Sequence, residues 1–224
     1  MLSLLQLCDS NFPMGAFSQS FGLETYLQDD VVCDSESFAR WLNIYLNEQL
    51  VHADGLAARL VYDAIQQDHP EKVWELDRKL TVQNFAKESR KGTQRMGKQL
   101  LSVAAPLYQV PLLGTYSSRI DNKESFGHPA IVFAAVGEHL EVSKEQTILY
   151  YLYSTVVGLV QNAVRAIPLG QTAGQKIIYQ FQKKLEAATK EIQDLDEMDF
   201  GIVAPGLELS QMKHERVSVR IFSS

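Results

Sequence analysis

Apolar residues along this chain recur at helical spacing, and no stretch sustains a strict alternation of apolar and polar positions. The clearest run lies between Ser143 and Gln175. Ser143 with Gln146 reads as a capping box, a hydroxyl at the N-cap and an amide three residues on. From Thr147 to Val164, eighteen residues carry no charge. Ile148, Leu149, Leu152, Val156, Val157, Leu159 and Val160 fall on every side of the helical wheel, which predicts a helix buried all round. That length meets the minimum for a membrane span. Ser154, Thr155, Gln161, Asn162 and three tyrosines are nonetheless spread through its middle, not belted at its ends, which assigns it to a protein core. Ile167-Pro168 predicts its end, because proline pushes the preceding residue out of the α region. Gly170 supplies a turn, and Thr172 with Gln175 reads as a second capping box. A further helix restarts there, with Ile177, Ile178, Phe181, Leu185 and Ala188 on one face.

The remaining pattern is helical too. From Ser35 to about Gln67, Phe38, Trp41, Leu42, Leu46, Leu50, Leu56, Val61 and Ile65 keep the period, as one long helix or two joined near His52–Gly55. After His69-Pro70, the stretch from Glu71 to about Ala105 reads helical through Val73, Leu76, Leu80, Met96 and Leu100. Pro106, Pro111 and Gly114 mark a connection, and Tyr116–Ser125 is expected to be the least structured part of the chain. Gly127-His128-Pro129 opens a short helix, proline being tolerated in a first turn. Residues 8–24, with Pro13, Gly15, Gly22 and serines between them, form a turn-rich segment. The last stretch, from about residue 205, breaks at Ala204-Pro205-Gly206. It carries Val217, Val219, Ile221 and Phe222 among polar residues, so it is expected to be a tail that stays mobile until something covers it. The predicted fold is all-α, a single-domain helical bundle over residues 1–224 around a buried central helix at about 143–167.

Length and composition narrow this further. A chain of 224 residues can bury one full core, and a formal charge of −6 argues against a general nucleic-acid binder. Cys8 and Cys33, the only cysteines, lack metal-type spacing and fit a reducing cytosol. The first ten residues, MLSLLQLCDS, have no basic region and too short an apolar run for a secretory signal. A cytoplasmic protein is expected, with neither nucleic acid nor membrane as partner. Charge is unevenly spread. Before Lys72 eleven acids face only Arg40 and Arg59, whereas Lys72–Lys98 holds eight basic residues against Glu75, Asp77 and Glu88. Lys87, Lys91, Arg95 and Lys98 share one helical stripe, read either as a solvated face or as a docking surface for an acidic partner.

No catalytic pattern emerges. The five histidines lack strong metal-site spacing, His-Glu-x-x-His is absent, and His214-Glu215 offers one weak ligand at most. Ser18 and Ser20 have no nucleophile signature, and Cys8 beside Asp9 reads as a small buried hydrophobe. The glycine- and serine-rich segment lacks the Gly-Lys-Ser/Thr pattern of a phosphate loop. No metal site and no cofactor are expected. Arg165, one turn before Pro168, carries two readings. It is a cation at a helix C-terminus, or a buried guanidinium on an internal polar path with Gln161, Gln171 and Gln175.

Four separated segments resemble the urease accessory protein UreF family. They are Asp9-Ser10 with Pro13-Met14-Gly15-Ala16-Phe17-Ser18-Gln19-Ser20-Phe21-Gly22-Leu23-Glu24; Glu88-Ser89-Arg90 with Met96-Gly97-Lys98 and Leu100-Leu101; Val164-Arg165 with Pro168-Leu169-Gly170-Gln171 and Gly174-Gln175; and His214-Glu215 with Arg220-Ile221-Phe222-Ser223-Ser224. His128-Pro129 fits a fifth position. The chain departs from the family pattern at Gly92-Thr93 and in having no cysteine beside His214. The resemblance implies a non-enzymatic metallochaperone component: an all-helical protein, a homodimer within its complex, that binds UreD (also called UreH) and recruits the GTPase UreG so that nickel enters apo-urease. It implies a UreG-facing surface at Pro13, Gly15, Ser18, Ser20, Gly22 and Glu24. A UreD/UreH surface is implied at the tail, through His214, Glu215, Arg216, Arg220 and Phe222. Alternatives are a GTPase-activating protein, for which Arg165 reads as too interior, and a direct nickel carrier, which needs converging ligands.

Overall fold

Prolines and capping side chains cut the chain into helices in a computed structural model that describes residues 2–201 and 204–224. There is no strand among the described residues, so the all-α expectation holds. After α1 (Leu2–Leu7), a short 3-10 turn at Ala16–Ser18 and α2 (Leu23–Gln28), the Asp34 carboxylate accepts from the Ser37 amide at 2.8 Å and starts α3 (Ser35–Ile44). The path to Gln66 is continuous, as one of the two sequence readings had it, but its middle is a π-helix, Tyr45–Gly55, before α4 (Leu56–Gln66). Such widened turns re-aim side chains, and here Tyr45, Gln49 and Asp54 line one internal cavity.

The stretch after Pro70 is two helices, α5 (Pro70–Gln83) and α6 (Lys87–Tyr108), with the break at Asn84–Ala86. Pro106 lies inside α6 and not in a connection, two residues before the helix ends. The expectation for Tyr116–Ser125 also fails, because α7 spans Pro111–Asp121. Its anchor is Tyr116, fully buried, whose hydroxyl donates to Asp77 Oδ1 at 2.7 Å and accepts from the His128 amide at 2.9 Å. Asp77, itself fully buried, takes the Phe126 amide on its other oxygen at 2.7 Å. One carboxylate thus orders the turn that leads into α8 (Pro129–His139).

Every residue from Pro129 to Gly137 is buried, because α8 is enclosed by α4, α6 and α9 (Lys144–Ala166). The helix closed on all sides is therefore α8. In α9 nothing from Thr147 to Val164 is exposed, but one side remains only half-buried. Ser143 caps α9, its hydroxyl accepting from the Gln146 amide at 3.3 Å, and Ile167 leaves the helix in extended conformation ahead of Pro168. The next helix, α10 (Gly170–Asp194), starts two residues before Thr172, which therefore sits in the first turn and caps nothing. Its apolar face, with Ile177, Ile178, Phe181, Leu185 and Ala188 buried, packs along α9. After a 3-10 turn at Glu197–Asp199, α11 (Pro205–His214) lies against α2 and α6. No helix among the described residues is long and apolar enough to cross a membrane.

Candidate functional site

Both chain ends converge on the start of α6 and the end of α9. Glu24, in the first turn of α2, is buried. Its Oε2 accepts from His214 Nε2 at 2.7 Å, and its carboxylate also takes the amides of Ile221 and Phe222. His214, the last residue of α11 and fully buried, turns Nδ1 to Glu88 Oε2 at 2.8 Å. Glu88 Oε1 accepts from Arg220 Nη1 at 2.7 Å. Both ring nitrogens of His214 thus face carboxylate oxygens, one on each side of the ring. Two carboxyl groups therefore meet one imidazole and one guanidinium in a single cluster. Partial burial disfavours the charged form of Glu88, but hydrogen bonds from His214 and Arg220 outweigh it and hold its carboxyl below the usual range.

The tail is stitched to the turn-rich segment beside this cluster. The Ser20 amide and hydroxyl both donate to the Ser224 main-chain oxygen, the amide at 2.6 Å, and the Ser223 amide donates to Ser18 O at 2.8 Å. Thr25 Oγ1 donates to Ser210 O at 2.7 Å. Gly22, at φ 91°, lets α11 approach, since a Cβ there would run into Ser210 Oγ. From the core side, Asn162 Nδ2 donates to Ala16 O at 3.1 Å and Gln19 O at 2.8 Å. Arg165 Nη1 donates to Phe17 O at 2.7 Å, and its guanidinium lies over the rings of Phe17 and Phe222 at 6.0 and 5.3 Å.

The residues singled out from sequence fall as follows. Ser20, Gly22 and Glu24 are buried, Gly15 and Ser18 half-buried, Pro13 exposed. In the tail His214 and Phe222 are buried, while Glu215, Arg216 and Arg220 are exposed. The two sets, read as surfaces for two different partners, touch each other here. Phe222 is covered by the chain's own N-terminal segment, whereas Val219 and Ile221 stay 78% and 53% exposed. The four residues of the polar path do not form one in this structure. Gln171 and Gln175 are exposed on α10, Gln161 is half-buried, and no hydrogen bond joins any two of the set among the described residues. Arg165 is exposed, so neither the buried-guanidinium reading nor the objection that it is too interior stands. Nor does it cap α9; the main-chain carbonyl it binds, that of Phe17, belongs to the 3-10 turn.

Sequence reasoning passed over Glu88 and Asn162 as site residues. Their signals were present: an acid opening an otherwise basic helix, and an amide late in an uncharged one. A second polar feature lies within the bundle. Tyr151 donates to Asp54 Oδ2 at 2.9 Å, and His128 Nε2 stands 3.8 Å from Asp54 Oδ1 across the same cavity. His128 Nδ1 accepts from the Ala130 amide at 3.2 Å, which places the ring proton on Nε2. Burial pushes His128 down, although Asp54 and Asp77 pull the other way. Burial and the Asp54 charge push the Tyr151 phenol well up. Cys8 is half-buried, and burial pushes its thiol up to about 12. Among the described residues no group of three or more His, Cys, Asp or Glu is placed to hold a metal ion.

These features define a helical scaffold whose ionic chemistry holds its own two ends together over an exposed aromatic and cationic edge. The family model for UreF matches residues 32–182. Across all 224 residues, and 99% of the relative's length, the chain is 49% identical to "Urease accessory protein UreF" of Bacillus sp. (strain TB-90). The chain belongs to the UreF family.

Proposed function

We propose that this chain is a non-catalytic component of urease maturation, which binds UreD (UreH), recruits the GTPase UreG and so promotes nickel insertion into apo-urease, as a homodimer within that complex. The observation that carries this reading is family membership over the full chain at 49% identity. The geometry supports a division of labour. Val219 and Ile221, apolar and uncovered, suit a UreD/UreH contact at the tail. Pro13, Gly15 and Ser18 border an open groove suited to UreG. Ser20, Gly22, Glu24 and His214 are buried, and act by setting the shape of both surfaces and not by touching a partner. The test is co-purification of the full chain with UreD/UreH and UreG, each alone and together. A stable assembly is expected, and its absence at micromolar concentrations overturns the reading.

Exposure of Arg165 favours a second reading, in which its guanidinium reaches the phosphate that UreG transfers. Arg165→Lys keeps the charge but not the fork. Under this reading it slows GTP hydrolysis by the complex while assembly persists. Unchanged hydrolysis removes it.

A further inference from the structure

Lys87, Lys91, Arg95 and Lys98 stand on one face of α6 and all are exposed. None of them lies in an ion pair with a carboxylate among the described residues. The opposite side of the helix is locked, with Ser89, Gly92, Met96 and Gly97 buried, so the stripe cannot rotate away. It borders a groove of about 580 Å³ between α6 and the turn-rich segment, with Arg95 and Lys98 on one wall and Pro13, Gly15 and Phe17 on the other. No carboxylate lines that groove, although the chain holds 27 acids against 21 bases. Phe17 is 69% exposed at its edge, with the Arg165 guanidinium stacked on it as a fifth cation.

Five of the chain's own acids are engaged elsewhere. Glu197 bridges Lys72 and Lys79, both at 2.6 Å. Asp196 and Asp199 close their own capping box, Asp34 caps α3, and Glu36 pairs with Arg40. These five are not free to supply the anions that the groove lacks. We propose that this groove and stripe are the docking surface for a carboxylate-rich segment of another protein, with one apolar side chain of that segment against Phe17. The inference rests on the reading that Pro13–Ser18 faces a partner, and it adds that partner's chemistry. Complementary charge of this kind raises the encounter rate and sets specificity, and it is screened by salt over about 10 Å.

The test uses the full chain and a labelled peptide rich in glutamate around a single phenylalanine, with the glutamine counterpart as control, read by fluorescence anisotropy. The glutamate peptide should bind, weaken steeply with added salt, and outcompete the control. Lys91→Glu with Arg95→Glu should weaken binding about tenfold, as expected when rim charges are reversed. Lys87→Glu with Lys98→Glu should act in the same direction, and Phe17→Ala should lower affinity without changing the salt dependence. All these positions are exposed, and circular dichroism checks that each variant folds. No binding by the wild type, equal binding of both peptides, or unchanged binding by both charge-reversed pairs overturns the proposal. So does tighter binding of a single-stranded oligonucleotide or of phosphatidylserine vesicles. A dimer that falls to monomer on charge reversal would make a second copy the occupant and overturn it likewise. A wild type that binds the peptide yet fails to co-purify with UreD/UreH and UreG refutes the proposed function alone; the converse refutes the docking surface alone.

Discussion

Glu24 and His214 lie 190 residues apart, and each meets the other inside a site closed to solvent. Breaking a buried ion pair from one side costs about 3–5 kcal/mol, because the abandoned charge keeps its desolvation penalty. Glu24→Gln should therefore lower stability by about 3 kcal/mol in urea unfolding; a change under about 0.5 kcal/mol would show that the cluster contributes nothing. The pH profile has two windows. His128 is held below its ordinary value, so the unfolded chain binds more protons once pH falls through about 6.5, and stability present above that pH is lost below it. Glu88 and Glu197 are held below the carboxylate range, so their contribution is present above about pH 4.3 and is lost as pH falls further. His128→Asn, which can still cap α8, should flatten the unfolding midpoint between pH 7 and 5 and leave the acid limb. A profile as steep as wild type in that range would contradict the assignment.

At the scale of elements, α9 is legible in sequence because its uncharged run, capping serine and terminal proline all agree. The α7 helix is not: Tyr116-Ser117-Ser118 looks like a loop, and its anchor is a bond to Asp77, thirty-nine residues away. The break between α5 and α6 is equally obscure, since Val82 and Phe85 continue the apolar pattern yet are 62% exposed. The all-round burial expected of α9 belongs to α8, whose short apolar run gave no sign of which neighbours would enclose it. Packing at the α6–α8 junction is set by Gly97, where a Cβ would stand 2.6 Å from the Gly127 carbonyl carbon and the His128 amide. Backbone cannot yield as a side chain does. Gly97→Ala should destabilise by about 1–3 kcal/mol through overpacking, measured as a lower unfolding midpoint; an unchanged midpoint would mean that the α8 entry is looser than described.

For the whole molecule, the candidate site was legible as separate segments and not as one place. Residues 8–24, Arg165 and the tail each stood out, but nothing in one-dimensional spacing shows that Ser20 meets Ser224 or that Arg165 spans Phe17 and Phe222. The convergence also changes how the tail should be probed. Removing it wholesale takes away Phe222, Arg220 and the Ser224 contacts, so lost binding would be mixed with lost stability. Val219 and Ile221 are the residues to change, since their side chains face out. The most direct measurement is the mass, by light scattering, of the assembly formed with UreD/UreH and UreG by wild type and by the Val219→Asp, Ile221→Asp double variant. Wild type should give one assembly containing all three proteins, and the variant, equally folded, should elute without UreD/UreH. A variant assembly of the same mass and composition as wild type would contradict the account.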